Sequence, residues 1–294
     1  MEIQKVGVVG CGLMGHGIAQ VCAQSGWDVV VREVSQERLD AGLAKISKQL
    51  DRAVSKGKLD QENADAVLAR IRPTTDYADL ADCDLVIEAI TEDLDEKLAM
   101  WRELDGVVKA SAYFATNTSS LSVADQAGAT SRPGQFLGLH FFNPVQMMPL
   151  LEVVSAAETS EDATKAGFSV GEALGKTMVA AGDNRGFIVN RLLVPYMFDA
   201  IRAFEAGTGS IEDIDAAMIG GASHPMGPIT LADFVGLDTL ASIGTVLVDY
   251  YGEERMGAPD TLKGLVGRGH YGRKSGRGYY DYSGEKPVAT DPRS

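Results

Sequence analysis

The sequence predicts an α/β fold in which a doubly wound, mainly parallel sheet over residues 1–185 is followed by an all-helical C-terminal domain over residues 186–294. In the first part, short β-branched runs alternate with segments of helical spacing, which is typical of strands buried on both faces of a parallel sheet. After Gly186 the helical spacing continues with few strand-like runs between helices. The length of 294 residues also exceeds the roughly 100–200 residues of a single domain, so two domains are expected.

The strand candidates are short apolar runs with glycine or polar residues at their ends, namely Ile3–Val9, Val29–Val31, Leu85–Ile90, Tyr113–Thr116, Phe136–Phe141 and Leu150–Val154. Helical spacing in the first domain predicts helices over Leu13–Ser25 and over Gln36–Arg70, the latter broken near Lys56–Lys58. In the second domain the same spacing predicts helices over Phe187–Phe204, Ile211–Met218, Pro228–Phe234 and Leu237–Tyr251. The polar tail Ser283–Ser294 is expected to be frayed.

Composition argues against several classes of function. The net charge of −14, from 27 basic and 41 acidic residues, repels phosphate backbones and anionic lipids, so nucleic-acid and membrane partners are not expected. The three cysteines form no C-x-x-C pair, which argues against a disulfide framework and a zinc site. Histidines and acids do not stand at ligand spacing, so a metal enzyme is the least expected class. A strand at Ile3–Val9 and the lack of a long apolar run predict a cytoplasmic protein.

A G-x-G-x-x-G motif directly follows the first predicted strand and opens the first predicted helix, which is the context that this motif requires. It reads Gly10, Cys11, Gly12, Leu13, Met14, Gly15. In this motif the first glycine allows a tight turn, the second lets the backbone approach a pyrophosphate, and the third lets helix and strand pack closely. The helix N-terminus offers N–H groups and a positive dipole end to the phosphates. The motif therefore predicts a Rossmann-type dinucleotide site rather than a glycine turn without a ligand.

Glu33 ends the second predicted strand, 18 residues after Gly15, close to the spacing of about 20 expected for the acid that binds the adenosine ribose. A carboxylate at that position repels a 2′-phosphate, so NAD is favoured over NADP. Arg32 acts in the opposite sense, because an arginine can accommodate the phosphate. The alternative that Glu33 only begins a solvated helix stays open.

Further motifs follow one another along nearly the whole chain, namely Gly10–Gln20, Glu88–Glu92, Asn117–Ser120, His140–Pro144, Gly186–Arg191, His224–Pro228 and Lys274–Tyr280. This set resembles the 3-hydroxyacyl-CoA dehydrogenase family, and the chain length is similar to that of its 3-hydroxybutyryl-CoA dehydrogenase branch. The resemblance implies an NAD-dependent oxidoreductase that interconverts short-chain L-3-hydroxyacyl-CoA, such as 3-hydroxybutyryl-CoA, and 3-ketoacyl-CoA, such as acetoacetyl-CoA. Arg185 departs from the family, which commonly has proline before the glycine at Gly186, and this bears on the hinge conformation.

Two residues have the chemistry that alcohol oxidation requires. Loss of hydride from a secondary alcohol needs a base for the hydroxyl proton, a partner that orients the base, and donors to the oxygen. His140, one of four histidines, lies at the end of a predicted strand, where parallel sheets bind ligands. Glu152 has apolar neighbours and needs a partner, for which His140 is the obvious choice. A structural core histidine is the alternative, whereas the pair resembles the catalytic dyad of the family.

The resemblance assigns Ser119 and Asn190 to the substrate oxygen, with Asn190 on the first helix of the second domain, so the reaction site is expected in the cleft between the domains. Ser119 as the cap of a helix starting near Ser122, and Asn190 as a helix-surface residue, are the alternatives. For the cofactor, the residues that match family positions or motifs are Ala89, Ile90, Glu92, Lys97, Asn117, Ser119, Asn143 and Lys274.

An anionic CoA needs cations, and five stand in one helical stretch, namely Lys45, Lys48, Arg52, Lys56 and Lys58. Lys48, Arg52 and Lys56 are four residues apart and share a helix face. A solvated charged face is the ordinary interpretation, but the resemblance favours Arg52 and Lys56 as substrate contacts. A dehydrogenase of a free 3-hydroxy acid would not need this face, and a catalytically idle NAD-binding protein is a second alternative. Apolar surface on Pro228–Phe234 and Leu237–Tyr251 predicts a homodimer.

Overall fold

The computed structural model describes residues 3–293 and divides into two compact units. The first unit ends at Asn184 and the second begins at Arg185, whereas the sequence-based boundary lay between residues 185 and 186. Each unit has a hydrophobic core of its own. The first core lies on one face of a β-sheet and the second lies among helices.

The first unit contains an eight-stranded sheet with the order β3-β2-β1-β4-β5-β6-β7-β8. Its strands are β1 (Lys5–Val9), β2 (Asp28–Arg32), β3 (Ile71–Thr74), β4 (Leu85–Glu88), β5 (Tyr113–Thr116), β6 (Phe136–Phe141), β7 (Leu150–Ser155) and β8 (Thr177–Gly182). All neighbouring pairs are parallel except β6 and β7, which are antiparallel. The order of the first six strands is that of dinucleotide-binding sheets. The chain fills the sheet in one direction from β1 to β3 and then continues on the other side of β1 with β4, so the strand order reverses between β1 and β4. The predicted fold class is confirmed.

The helices of the first unit are α1 (Gly15–Gln24), α2 (Gln36–Ser55), α3 (Gln61–Ala69), α4 (Leu94–Val107), α5 (Val123–Ala127) and α6 (Glu161–Ala173). Capping side chains fix where several begin, as where the Asp93 carboxylate accepts from the Glu96 N–H at 2.9 Å at the start of α4. In α2, the residues Leu39, Ile46 and Leu50 recur at helical spacing and are buried. The sequence therefore sets both the start of a helix and the face that it buries.

Two strands of the first unit were not predicted from the sequence. Strand β3 is at the edge of the sheet and contains Arg72 and Pro73, both exposed. A proline within a short polar run argues against a central strand but is tolerated at an edge. Strand β8 lies at the opposite edge and has small, mostly half-buried or exposed residues, so it lacks the apolar signal of the central strands.

The second unit is mainly helical, with α7 (Val189–Glu205), α8 (Ile211–Ala222), α9 (Pro228–Val235), α10 (Leu237–Tyr251), α11 (Asp260–Gly267) and a two-stranded sheet of β9 (Tyr280–Asp281) and β10 (Val288–Ala289). Helix α7 begins two residues later than predicted, because Gly186 and Phe187 have positive φ angles of 78° and 46°. Among residues 3–293 no single helix is long and apolar enough to cross a bilayer, and α9 with α10 passes that test only as a pair bent by 96°.

The prediction of a frayed tail is wrong for residues 288–290. Strand β10 pairs with β9, and the Thr290 N–H donates to the Tyr279 carbonyl at 2.8 Å. Strand β9 is itself anchored, because the buried Asp233 carboxylate accepts from the Tyr279 and Tyr280 N–H groups at 3.0 and 2.9 Å. Ser294, the last residue of the predicted tail, lies outside the described residues.

Candidate active site

The glycine loop lies at the carboxyl end of β1, beside β4, where the strand order reverses. Gly10 has a φ of 96°, and a Cβ there would lie 2.5 Å from the Ala89 carbonyl oxygen. A Cβ at Gly15 would lie 1.8 Å from the Gly10 carbonyl oxygen, whereas at Gly12 it would meet no atom within 4 Å. The fold therefore requires glycine at the first and third positions, and the second position faces open space, as a closely approaching pyrophosphate needs.

The start of α1 completes this cradle. Helix α1 begins at Gly15, after Leu13, which is 66% exposed, and Met14, which has no side-chain hydrogen bond as the cap. An uncapped helix start offers N–H groups and a positive dipole end to an anion. The residues of this loop thus fit the phosphates of a dinucleotide.

Glu33 follows β2 and is 9% exposed. Its Oε1 accepts from the Cys11 N–H at 2.8 Å, and its Oε2 accepts from the Val34 N–H at 2.9 Å. The carboxylate therefore braces the glycine loop, and its oxygens have further lone pairs for ribose hydroxyls. The Arg32 side chain packs on Tyr77, with its guanidinium carbon 3.8 Å from the centroid of the ring.

A buried ion pair lies behind the end of β4. The side chains of Glu88 and Lys97 are 0% and 1% exposed, and the Lys97 ammonium donates a short hydrogen bond to the Glu88 carboxylate. Glu88 also accepts from the Thr116 hydroxyl at 2.6 Å and from the Ile90 N–H at 2.7 Å. Burial raises the pKa of Glu88, although Lys97 and these hydrogen bonds oppose the shift. Lys97 therefore lies inside the unit rather than at its surface.

Glu92 connects this ion pair to the loop after β5. The Lys97 ammonium lies 3.2 Å from Glu92 Oε2, and Glu92 Oε1 accepts from the Thr118 hydroxyl at 2.5 Å and from the N–H groups of Ser119 and Ser120 at 2.9 and 3.2 Å. Desolvation opposes ionisation of Glu92, but Lys97 and the hydrogen bonds from Thr118 and Ser119 outweigh it and lower its pKa. An ionised Glu92 thus holds the loop that carries Ser119.

Ser119 does not cap the following helix. The cap of α5 is Ser122, whose hydroxyl accepts from the Asp125 N–H at 3.0 Å. Ser119 is half-buried, and its own hydroxyl donates only a long bond of 3.4 Å to Glu92. The capping alternative for Ser119 is wrong, and its hydroxyl is weakly engaged in this structure.

His140 and Glu152 meet as the sequence predicts. They are direct neighbours across the antiparallel pair β6 and β7, with His140 Nδ1 2.6 Å from Glu152 Oε2. Glu152 is 0% exposed and His140 is 5% exposed. Asn117 lies beside them, and its amide oxygen accepts from the Phe141 N–H at 2.9 Å. Asn143 is exposed and precedes a cis peptide bond to Pro144.

Two of the predicted site residues belong to the second unit. Asn190 is the second residue of α7 and is half-buried. Lys274 lies in a short 3-10 turn, where its ammonium pairs with Asp238 Oδ1 at 2.6 Å. A role of Lys274 at the cofactor stays a prediction.

The basic face expected to meet CoA ends helix α2. Arg52 lies in its last turn and Lys56 is its C-terminal cap, and both are exposed. Within residues 3–293 neither side chain forms an ion pair. Two unneutralised cations on one exposed end of a helix are suited to an anionic ligand, although a solvated face has the same appearance.

The role of Glu88 was not predicted from the sequence, although the residue belongs to the motif Glu88–Glu92. Its position in the sequence could have indicated a buried ion pair, because a carboxylate at the end of the buried apolar run Leu85–Glu88 needs a cation. Within the described part of the chain, no group of three or more histidines, cysteines and acids could hold a metal ion.

Both units of the chain match models of known protein families. Residues 5–184 match the model of the 3-hydroxyacyl-CoA dehydrogenase NAD binding domain, and residues 186–282 match that of the 3-hydroxyacyl-CoA dehydrogenase C-terminal domain. A 3-hydroxybutyryl-CoA dehydrogenase of Bradyrhizobium diazoefficiens is 45% identical over 288 residues, which cover 98% of each chain.

Two crystal structures are similar over nearly the whole chain. FadB2 of Mycobacterium tuberculosis is 46% identical with a TM-score of 0.94, over 96% of this chain and 100% of the other. The (S)-3-hydroxybutyryl-CoA dehydrogenase PaaH1 of Ralstonia eutropha is 40% identical with a TM-score of 0.93, over the same shares. The NAD binding domain agrees with the glycine loop and makes NAD the cofactor of this dehydrogenase. The chain therefore belongs to the 3-hydroxyacyl-CoA dehydrogenase family.

Proposed function

We propose that this enzyme interconverts short-chain L-3-hydroxyacyl-CoA and 3-ketoacyl-CoA, with 3-hydroxybutyryl-CoA and acetoacetyl-CoA as the preferred pair. The observation that carries the chemistry is the buried His140–Glu152 pair, with 2.6 Å between Nδ1 and Oε2. The preferred pair is supported by the relatives of 40–46% identity, several of which are named 3-hydroxybutyryl-CoA dehydrogenases.

His140 acts as the general base in the oxidation and as the general acid in the reduction. Bound NAD supplies the hydride chemistry, so the protein has to manage the proton of the substrate hydroxyl. Nδ1 of His140 engages Glu152, which assigns the exchange with substrate to Nε2. Glu152, 0% exposed, holds the ring in this orientation and stabilises its charged form in a site of low dielectric.

Ser119 and Asn190 donate hydrogen bonds to the substrate oxygen in this proposal. Ser119 is suited to that role because Glu92 holds its backbone N–H at 2.9 Å, while its hydroxyl makes only a long bond. The backbone is therefore fixed and the hydroxyl can turn toward a ligand. Asn190 is assigned by its match to the motif Gly186–Arg191 of the family.

The CoA moiety is bound by Arg52 and Lys56 at the end of α2. The protein has a net charge of −14, so an anionic substrate needs a local positive surface to approach. Both side chains are exposed and neither has an ion-pair partner within residues 3–293, so their charges face solvent and a ligand.

We further propose a cytoplasmic homodimer that assembles through the second unit, without nucleic-acid or membrane partners. Support for the dimer comes from apolar side chains that are about half or more exposed on helices of that unit, namely Leu192, Ile219, Phe234 and Tyr250. Light scattering of the purified protein tests this assembly, and a monomeric mass would contradict it.

The decisive experiment follows NADH absorbance with acetoacetyl-CoA, longer 3-ketoacyl-CoAs and free acetoacetate in parallel. The proposal predicts the highest kcat/KM with acetoacetyl-CoA. Higher efficiency with a longer chain would move the assignment to another acyl length. Turnover of acetoacetate at a comparable kcat/KM would favour a dehydrogenase of free hydroxy acids, and no turnover of any of them would favour the idle NAD-binding protein.

A further inference from the structure

His16 is a buried titratable residue to which the proposed reaction gives no role. It is the second residue of α1 and is 7% exposed. Its Nδ1 lies 2.6 Å from the carbonyl oxygen of Gly12, and its Nε2 lies 3.1 Å from the Gln49 side-chain nitrogen. The imidazole therefore bridges the glycine loop and helix α2.

These two contacts select one form of the ring. A carbonyl oxygen can only accept, so Nδ1 of His16 carries the hydrogen that is donated to Gly12. Gln49 then donates from its amide nitrogen to Nε2, which is the acceptor nitrogen of a neutral imidazole. The neutral Nδ1–H tautomer satisfies both neighbours at once.

Packing does not crowd the Cα of Gly12, so hydrogen bonds have to orient the peptide that follows it. No atom lies within 4 Å of a Cβ built at Gly12, and glycine has the widest choice of backbone conformations. The Gly12–Leu13 peptide bond is trans, so its C=O and N–H point in opposite directions. Anchoring the carbonyl on His16 therefore turns the Leu13 N–H away from α1, and among residues 3–293 that N–H has no hydrogen-bond acceptor.

We propose that His16 is a positioning residue for the dinucleotide. It locks the Gly12 peptide in the orientation that presents the Leu13 N–H to the pyrophosphate, and Gln49 holds the tautomer that can do so. The free loop is thereby preorganised, which lowers the ordering cost of binding. This inference depends on the NAD binding of the family and not on the acyl-CoA, so it can fail independently of the proposed function.

The test compares equilibrium binding of NADH, by calorimetry, among the wild type, His16→Ala, His16→Asn and Gln49→Ala. His16→Ala should raise the Kd about two- to tenfold, as expected for one lost hydrogen bond. The amide nitrogen of asparagine can take the place of Nδ1, so His16→Asn should stay within about twofold of the wild type. Gln49→Ala leaves the Gly12 contact in place but no longer selects the Nδ1–H tautomer, so its Kd should lie between those of the wild type and His16→Ala. The melting temperature of each cofactor-free protein separates loss of fold from loss of binding.

Imidazole nitrogen chemical shifts of the cofactor-free protein supply a readout that does not depend on activity. The signal that disappears in His16→Asn should report the neutral Nδ1–H tautomer. The proposal is overturned if His16→Ala binds NADH as tightly as the wild type, if His16→Asn is as weak as His16→Ala at an unchanged melting temperature, or if the His16 signal reports the Nε2–H tautomer.

Discussion

The buried ion pair behind the Ser119 loop gives a sharp prediction for Lys97→Met. This substitution leaves Glu88, which is 0% exposed, with the Thr116 hydroxyl and the Ile90 N–H but with no cation. Breaking a buried pair by removing one partner costs about 3–5 kcal/mol, because an uncompensated charge remains inside. Glu92 also loses Lys97, but its side chain is 37% exposed, so this loss adds at most about 1 kcal/mol. The free energy of unfolding of the first unit should therefore fall by about 3–5 kcal/mol.

Tryptophan fluorescence during urea unfolding measures this loss in the first unit, because both tryptophans, Trp27 and Trp101, lie there. The exposed pair of Lys165 with Glu161 supplies the control, and Lys165→Met should change the free energy by less than about 1 kcal/mol. If Lys97→Met is destabilised by no more than this control, Lys97 does not neutralise a buried charge on Glu88.

Two further measurements test whether the lost stability of Lys97→Met comes from the charge on Glu88. Adding Glu88→Gln to Lys97→Met removes the stranded charge, so the double variant should be more stable than Lys97→Met alone. Burial raises the pKa of Glu88 and Lys97 opposes that shift, so folded Lys97→Met should bind the Glu88 proton more tightly than the folded wild type does. The deficit of Lys97→Met should accordingly shrink as the pH falls. A deficit that is independent of pH would contradict this explanation.

Three further predictions concern the cofactor, the CoA face and the second unit. The Glu33 carboxylate should make kcat/KM with NADH about ten- to a hundredfold higher than with NADPH, and equal values would mean that Arg32 dominates. Lys56→Ala should raise KM for acetoacetyl-CoA at low salt with kcat nearly unchanged, whereas the control Lys165→Ala should change neither constant. An unaltered KM for Lys56→Ala would mean that Lys56 is a solvated surface residue and does not bind the substrate. Burial raises the pKa of Asp233 to about 6, so the folded wild type should lose stability as the pH rises from about 4 to about 6. Asparagine does not titrate, so the melting temperature of Asp233→Asn should rise relative to that of the wild type over this pH range. A constant difference between the two proteins would contradict it.

The parts of the site that the sequence predicts well are those set by local rules. The glycine loop is one, since a strand, a tight turn and a helix start within a dozen residues, and Gly10 and Gly15 meet backbone atoms that exclude a side chain. The meeting of His140 and Glu152 is another. It follows because a buried carboxylate needs a partner, and a direct neighbour on the adjacent strand supplies it.

The parts that escaped prediction depend on contacts between distant segments. Lysine is ordinarily a surface residue, and the burial of Lys97 on α4 is tolerated because Glu88 at the end of β4 neutralises it. The bridge from His16 to Gln49 joins residues 33 positions apart, and neither residue type signals it. Strand β3 was hidden by Pro73, which only its position at the sheet edge makes acceptable.

In the proposed reaction His140 transfers the proton and Glu152 acts through it. The most direct test is the kcat for acetoacetyl-CoA reduction by the wild type, His140→Gln, Glu152→Gln and the double variant, with NADH binding measured for each. His140→Gln should lower kcat about 10²–10⁴-fold, and Glu152→Gln about 10–100-fold through the lost charged hydrogen bond, with NADH affinity retained. Because the two residues act as a unit, the double variant should be scarcely slower than His140→Gln. Near-wild-type turnover in His140→Gln would exclude His140 as the general acid and base, and losses that multiply fully in the double variant would mean that Glu152 does not act through His140.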